Sequence, residues 1–128
     1  MRTIASRAST IMNGLWTGGT VGLRVVGRKA ISELNRRYRG VDAATDVLSF
    51  PADDPAHHGD IALCWELAVR QARANGNAVE DEALALVCHG LLHLAGYRHD
   101  TAEGDAEMTG RTVELCRAAG TEVSTFGH

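Results

Sequence analysis

Apolar residues recur along the chain with two different periods, and glycines stand where one period gives way to the other. Residues 2 to 13 read as a modest helix that breaks at Gly14 and again at Gly18-Gly19. In TVGLRVV, Val21, Leu23 and Val25 alternate with period two, which predicts a strand. RKAISELNRRYRG then places Ile31, Leu34, Asn35 and Tyr38 at helical spacing with basic residues on the other side, and this helix ends at Gly40. TDVLSF, residues 45 to 50, is a second strand stopped by Pro51. PADDPAHH holds both prolines, two adjacent acids and two histidines, so it is expected as an exposed connection before a third short strand, GDIAL. A helix from about Cys64 to Asn75 stops at Gly76.

The next segment, AVEDEALALVCHGLLHLAG, has almost no polar position between Ala83 and Ala95. A helix resting on the surface needs a polar face, so this one is predicted to run through the core and to end at Gly96. Asp100 or Thr101 can cap a last helix, with Glu103 completing a capping-box pattern from Asp100, and that helix carries Met108, Val113, Leu115 and Cys116. Helices and short strands are mixed without regular strand-helix alternation. The expected class is therefore α+β: a single domain over residues 1–128, with a small mixed sheet packed by helices around the buried helix.

Composition narrows the functional classes. At 45% hydrophobic and 23% charged residues the chain is close to the globular average, and no apolar run reaches the roughly 18 residues of a membrane span. The segment MRTIASRAST has no apolar stretch of signal-peptide length, so a cytoplasmic location without membrane association is expected. Cys64, Cys88 and Cys116 are an odd, widely spaced set without a CxxC pair, which speaks against a disulfide framework and against a thiolate zinc site. The formal net charge of -3 is unevenly distributed. Residues 1–40 carry eight basic residues (Arg2, Arg7, Arg24, Arg28, Lys29, Arg36, Arg37 and Arg39) against one acid, Glu33; residues 41–128 carry five basic and fifteen acidic residues. Such a split is either two solvated faces of opposite sign or a basic surface for a phosphate polymer.

The candidate chemistry lies on the buried helix. His89 and His93 are four residues apart, one helical turn, and aim two imidazoles at a common point. A polar ring on an apolar helix costs free energy unless its nitrogens find partners. His99 follows three residues after Gly96, whose freedom at positive φ lets the chain bend back toward the same point. The resulting HxxxHxxGxxH reproduces the spacing of the three-histidine zinc site of metzincins, in which a fourth position stays open for water. One Zn2+ per chain is expected, although imidazole also suits other transition metals. Where the peptidase motif has its Glu base, this chain has Gly90, which weakens a proteolytic reading and leaves hydrolysis by a metal-activated water.

Three segments, LNRRYRGVDAATDVLSFP, GDIALC and HGLLHLAGYRHD, resemble the signature blocks of the YbeY endoribonuclease family and occur in the family's order, the likeness running from about Val21 to Asp100. The resemblance implies a zincin-like α+β fold and a zinc-dependent, single-strand-specific endoribonuclease. It also implies action in ribosomal RNA maturation and ribosome quality control, with ribosomal RNA and the small ribosomal subunit as partners. By position, His89, His93 and His99 are its metal ligands and Arg39 its functional arginine. The chain departs from the usual pattern at Ala44, where a proline commonly precedes Thr45-Asp46, and at Arg98, where Asp usually precedes the last histidine.

Other residues fit structural roles better than functional ones. Cys88 points about 100° away from His89 around the helix and belongs to the core. His57 and His58 are expected as exposed loop histidines rather than as a further ligand or RNA contact. Asp46 and Asp60 are expected to satisfy backbone groups at strand edges, and Tyr97 to pack beside the bend rather than to stack on a base. Two other functions compete with the endoribonuclease. One is a zinc metallopeptidase or amidase lacking the usual Glu base, and the other a non-catalytic, zinc-containing ribosome-assembly factor.

Overall fold

The computed structural model describes residues 4–97 and 101–120. In chain order the elements are α1 (Ile4–Asn13), β1 (Thr20–Val26), α2 (Arg28–Arg39), β2 (Val47–Asp54), β3 (His57–Cys64), α3 (Trp65–Asn75), α4 (Val79–Leu94) and α5 (Ala102–Ala118). The three strands form one mixed sheet in the order β1-β3-β2, with β3 parallel to β1 and antiparallel to β2. This is the α+β arrangement expected, with five helices around a three-stranded sheet among the described residues.

Helix α4 is the centre of the molecule. Every residue from Glu82 to Leu92 is buried, and α1, α3, α5 and the β2–β3 face of the sheet all pack on it. An element surrounded in this way has no use for a polar face, which explains the apolar run. The sheet separates two cores. Val47, Ile61 and Leu63 face α4, whereas Leu48, Ala62 and Cys64 face Ile31 of α2. Gly90 faces the sheet at short range: a Cβ there would stand 3.0 Å from Ser49 Oγ and 3.1 Å from Ile61 Cδ1. Glu82 is a fully buried carboxylate in the first turns of α4 and accepts from Asn75 Nδ2 at 2.6 Å and Asn77 Nδ2 at 3.2 Å. It thereby fastens the α3–α4 turn to the buried helix.

Several boundaries differ from the sequence reading. Strand β2 continues through Pro51 to Asp54, because it is an edge strand paired only with β3, where a missing N–H is tolerated. The exposed connection shrinks to a turn at Pro55-Ala56, closed by Asp54 Oδ1 accepting from the Ala56 N–H at 2.8 Å. Val25 is 59% exposed, so the alternation in β1 is not carried to burial at its far end. Tyr38, expected on the apolar face of α2, is 65% exposed and touches Phe50 edge-on. Thr101 caps α5 by accepting from Gly104 N at 3.0 Å, so the residue at the third helical position is Gly104 and the capping box through Glu103 does not form. No helix among the described residues is long and apolar enough to cross a membrane.

Candidate metal centre and phosphate cleft

The two histidines emerge from the carboxyl-terminal half of α4. His89 is buried, 6% exposed, and His93, in the last turn, is half-buried. Their Nε2 atoms lie 3.1 Å apart. Two imidazole nitrogens that share one tetrahedral zinc at about 2.0–2.1 Å stand about 3.3 Å from each other, so the pair fits one cation between its nitrogens with little adjustment. Helix α4 then ends as expected at Gly96, φ 96°, with Tyr97 N–H donating back to Leu92 O at 3.0 Å. His99, the third expected ligand, lies outside the described residues, as do Arg98 and Asp100. Among the described residues no group of three or more His, Cys, Asp or Glu gathers around a point.

The pair opens into a cleft of about 360 Å³ whose other walls are Arg39 from the end of α2 and Thr45, Val47, Ser49 and Pro51 from β2 and its approach. Arg39 reaches this place because of how α2 terminates. Gly40, φ 69°, takes the left-handed conformation and donates to Arg36 O, while buried Asn35 donates from Nδ2 to Ala43 O at 2.9 Å. That amide pins the loop from α2 to β2, and the last arginine of the helix lines the cleft opposite the histidines. Ala44 lies half-buried in this loop and packs on the α2 core.

Sequence reasoning missed one feature of the cleft. Ser49 stands on the α4-facing phase of β2 and donates to Gly90 O at 3.0 Å, locking the strand to the histidine helix; the visible signal was a lone hydroxyl in the alternation of Val47 and Ser49. Asp46 is buried beside the cleft and accepts from Val47 N–H at 2.8 Å and Gln71 Nε2 at 2.7 Å, a bracing role of the expected kind but in the interior.

Other candidates are committed elsewhere. His57 and His58 belong to β3, half-buried, and are not loop residues. His57 Nδ1 meets Thr20 Oγ1 at 2.8 Å and its Nε2 meets Asp60 Oδ1 at 3.2 Å. The His58 ring stacks on Trp16 at 4.1 Å and its Nε2 donates to Gly18 O at 2.7 Å. Cys88 is fully buried, and its hydrogen bond with Cys116, together with burial, pushes its thiol upward, so it stays a neutral core residue. Tyr97 packs against the α4 core, as expected.

Comparison with known proteins adds to this geometry. The profile of the endoribonuclease YbeY family matches residues 3–120. The endoribonuclease YbeY of Roseiflexus sp. (strain RS-1) is 44% identical over 112 residues, covering 78% of this chain and 70% of that protein. That of Moorella thermoacetica is 42% identical over 127 residues, covering 89% of this chain and 81% of its own length. A solution structure of a Thermotoga maritima protein superposes with a TM-score of 0.68 at 32% identity, over 91% of this chain and 78% of that one.

Proposed function

The chain belongs to the endoribonuclease YbeY family, and from that premise we propose that it is a metal-dependent endoribonuclease specific for single strands, acting on ribosomal RNA during maturation and quality control of the ribosome. A cytoplasmic setting and the small ribosomal subunit as partner belong to the same reading. The observation that carries it is the shared cleft in which Arg39 faces the His89–His93 pair.

Phosphodiester hydrolysis gathers negative charge on the phosphate oxygens. A guanidinium stays charged at any relevant pH and presents a planar fork to two of those oxygens. Arg39 binds and orients the scissile phosphate against the histidines. His89, His93 and His99 are the residues assigned to hold one zinc ion in a zincin-like site, which when bound supplies Lewis-acid chemistry and activates water at neutral pH. Ser49 keeps β2 and α4 at fixed separation, so that the phosphate site and the histidines hold their spacing. The peptidase reading is opposed by packing as well as by the missing carboxylate, because position 90 has no room for a Glu between α4 and the sheet.

Purified protein incubated with a single-stranded RNA, a fully structured RNA and casein, each with and without chelator, tests this function. Cleavage confined to the single strand and abolished by chelator is expected. Cleavage of casein, or no cleavage of any RNA, refutes it.

A further inference from the structure

Helix α2 covers only one end of its side of the sheet. The Leu48–Ala62 row and Cys64 lie beneath Ile31, but the neighbouring row, in which Phe50, Asp60 and Gly22 pair across the three strands, is left open. The resulting hollow measures about 650 Å³, and Arg24 and Tyr38 line it together with Phe50 and Asp60. Arg39, Ser49 and Pro51 line both this hollow and the histidine cleft, so the two meet across the free edge of β2.

We propose that this hollow is a nucleobase subsite, selective for guanine, for the nucleotide adjoining the phosphate held at Arg39. The inference rests on the endoribonuclease reading and adds a base-recognition site to it. Tyr38 is 65% exposed at the rim and held edge-on to Phe50 with ring centroids 5.0 Å apart, which leaves a fixed aromatic face for a base to stack on. Asp60 forms the floor. Gly22 has no side chain, and the space its Cβ would take is filled by Asp60 Oδ1, so the carboxylate leans across the sheet toward β1. Its direction is fixed by a chain of contacts: Thr20 Oγ1 lies 2.8 Å from His57 Nδ1, and His57 Nε2 donates to Asp60 Oδ1 at 3.2 Å.

A carboxylate accepts and never donates, whereas Arg24 only donates. Guanine is the one RNA base that presents two adjacent donors, N1–H and the 2-amino group, on one edge and two acceptors, O6 and N7, on another. Adenine and cytosine set a ring acceptor beside their amino group, which a carboxylate repels, and uracil offers a single donor between two carbonyls. The bland alternative is that Asp60 only holds His57 and Tyr38 only covers Phe50. In that case neither residue distinguishes bases.

The test is equilibrium binding of labelled single-stranded octaribonucleotides to the full chain in chelator: uridine throughout, or with one guanosine, adenosine or cytidine at the centre. A single guanosine is expected to raise affinity on the order of tenfold over the other three. Asp60→Asn should abolish that preference while keeping the wild-type melting curve, and Tyr38→Ala should weaken every single strand by on the order of tenfold. Equal affinity for all four oligonucleotides, or a guanosine preference that survives in Asp60→Asn, overturns the subsite. Cleavage of the same set with metal present is read separately. Cleavage with no base preference leaves the endoribonuclease standing without this subsite, and guanosine-selective binding with no cleavage does the reverse.

Discussion

Gly90→Ala measures how tightly the histidine helix is fitted to the sheet. The helix itself favours the change, because Ala is better than Gly in a helix interior by ~1 kcal/mol. The surroundings oppose it. The new methyl group stands 3.0 Å from Ser49 Oγ and 3.1 Å from Ile61 Cδ1, a few tenths of an ångström inside ordinary contact. Overpacking of that kind costs roughly 1–3 kcal/mol. Moving the Ser49 hydroxyl away also strains its 3.0 Å bond to Gly90 O, a bond worth about 0.5–1.5 kcal/mol. The opposing terms exceed the gain, and a net loss of about 1–3 kcal/mol follows, lowering the melting temperature by on the order of 5–10 °C for a domain of this size. Differential scanning calorimetry of wild type, Gly90→Ala, Ser49→Ala and the double variant gives the coupling. The double variant should be more stable than the sum of the single effects, since removing the hydroxyl makes room for the methyl group. A Gly90→Ala protein as stable as wild type would falsify the close fit and reopen the question of whether a longer side chain can be housed there. With the fit intact, Gly90→Glu loses the fold and gains no peptidase activity.

Arg39→Ala should keep the melting temperature and metal content but lose roughly a hundredfold or more in single-turnover RNA cleavage, with little recovery in Arg39→Lys; near-normal cleavage by Arg39→Ala removes it from the phosphate site. Protein purified without a histidine tag should carry about one transition-metal ion per chain by elemental analysis, and His93→Ala should lose it, so full metal content in that variant refutes the assigned ligands. RNA affinity should fall linearly on a plot of log K against log salt, because Arg36, Arg37 and Arg39 release counterions on meeting phosphates; a flat plot makes the basic amino-terminal region an ordinary solvated face. Glu82→Ala leaves the Asn75 and Asn77 amides without their buried acceptor and should cost roughly 2–4 kcal/mol in urea unfolding, whereas a loss under about 0.5 kcal/mol shows that the α3–α4 turn is held some other way.

What the sequence disclosed was what local periodicity records. The core helix was visible because α4 is enclosed on all sides, which leaves an unbroken apolar run, and the bend at Gly96 was visible because the residue type and the conformation coincide. The length of β2 was hidden, since whether a strand tolerates Pro51 depends on its being an edge strand, a property of the whole sheet. The β2–β3 turn is hidden for the same reason: His57 and His58 look like loop residues in PADDPAHH, and only their contacts with Thr20 of β1 and with Trp16 of the α1–β1 connection explain why they are half-buried. Asn35 read as one more position on a helix face, and its use as a pin for the loop beyond Arg39 depends on Ala43, eight residues away. The histidine spacing was legible and its counterpart was not, because nothing in the chain order says that the end of α2 and the middle of β2 meet the last turns of α4.

The burial of α4 and the chemistry assigned to it are parts of one arrangement. A helix packed by α1, α3, α5 and the sheet is rigid along its length, so side chains at its open end are held without loop motion. That open end is the carboxyl terminus, where the aligned peptide dipoles place the negative pole of the helix. His93 lies in this last turn and His89 one turn deeper. The dipole therefore favours a cation there, whereas the same two histidines at the amino-terminal end, beside Glu80, Asp81 and Glu82, would face the positive pole and compete with three carboxylates. Arg39 approaches from the opposite wall, itself at the carboxyl end of α2 with Arg36 and Arg37. Two helix termini thus converge on the cleft, and their negative poles offset the positive charge of Arg39 and of any cation held by the histidine pair. Reversing either helix would put like charge against like, at a cost of about 0.3–1 kcal/mol for each helix end.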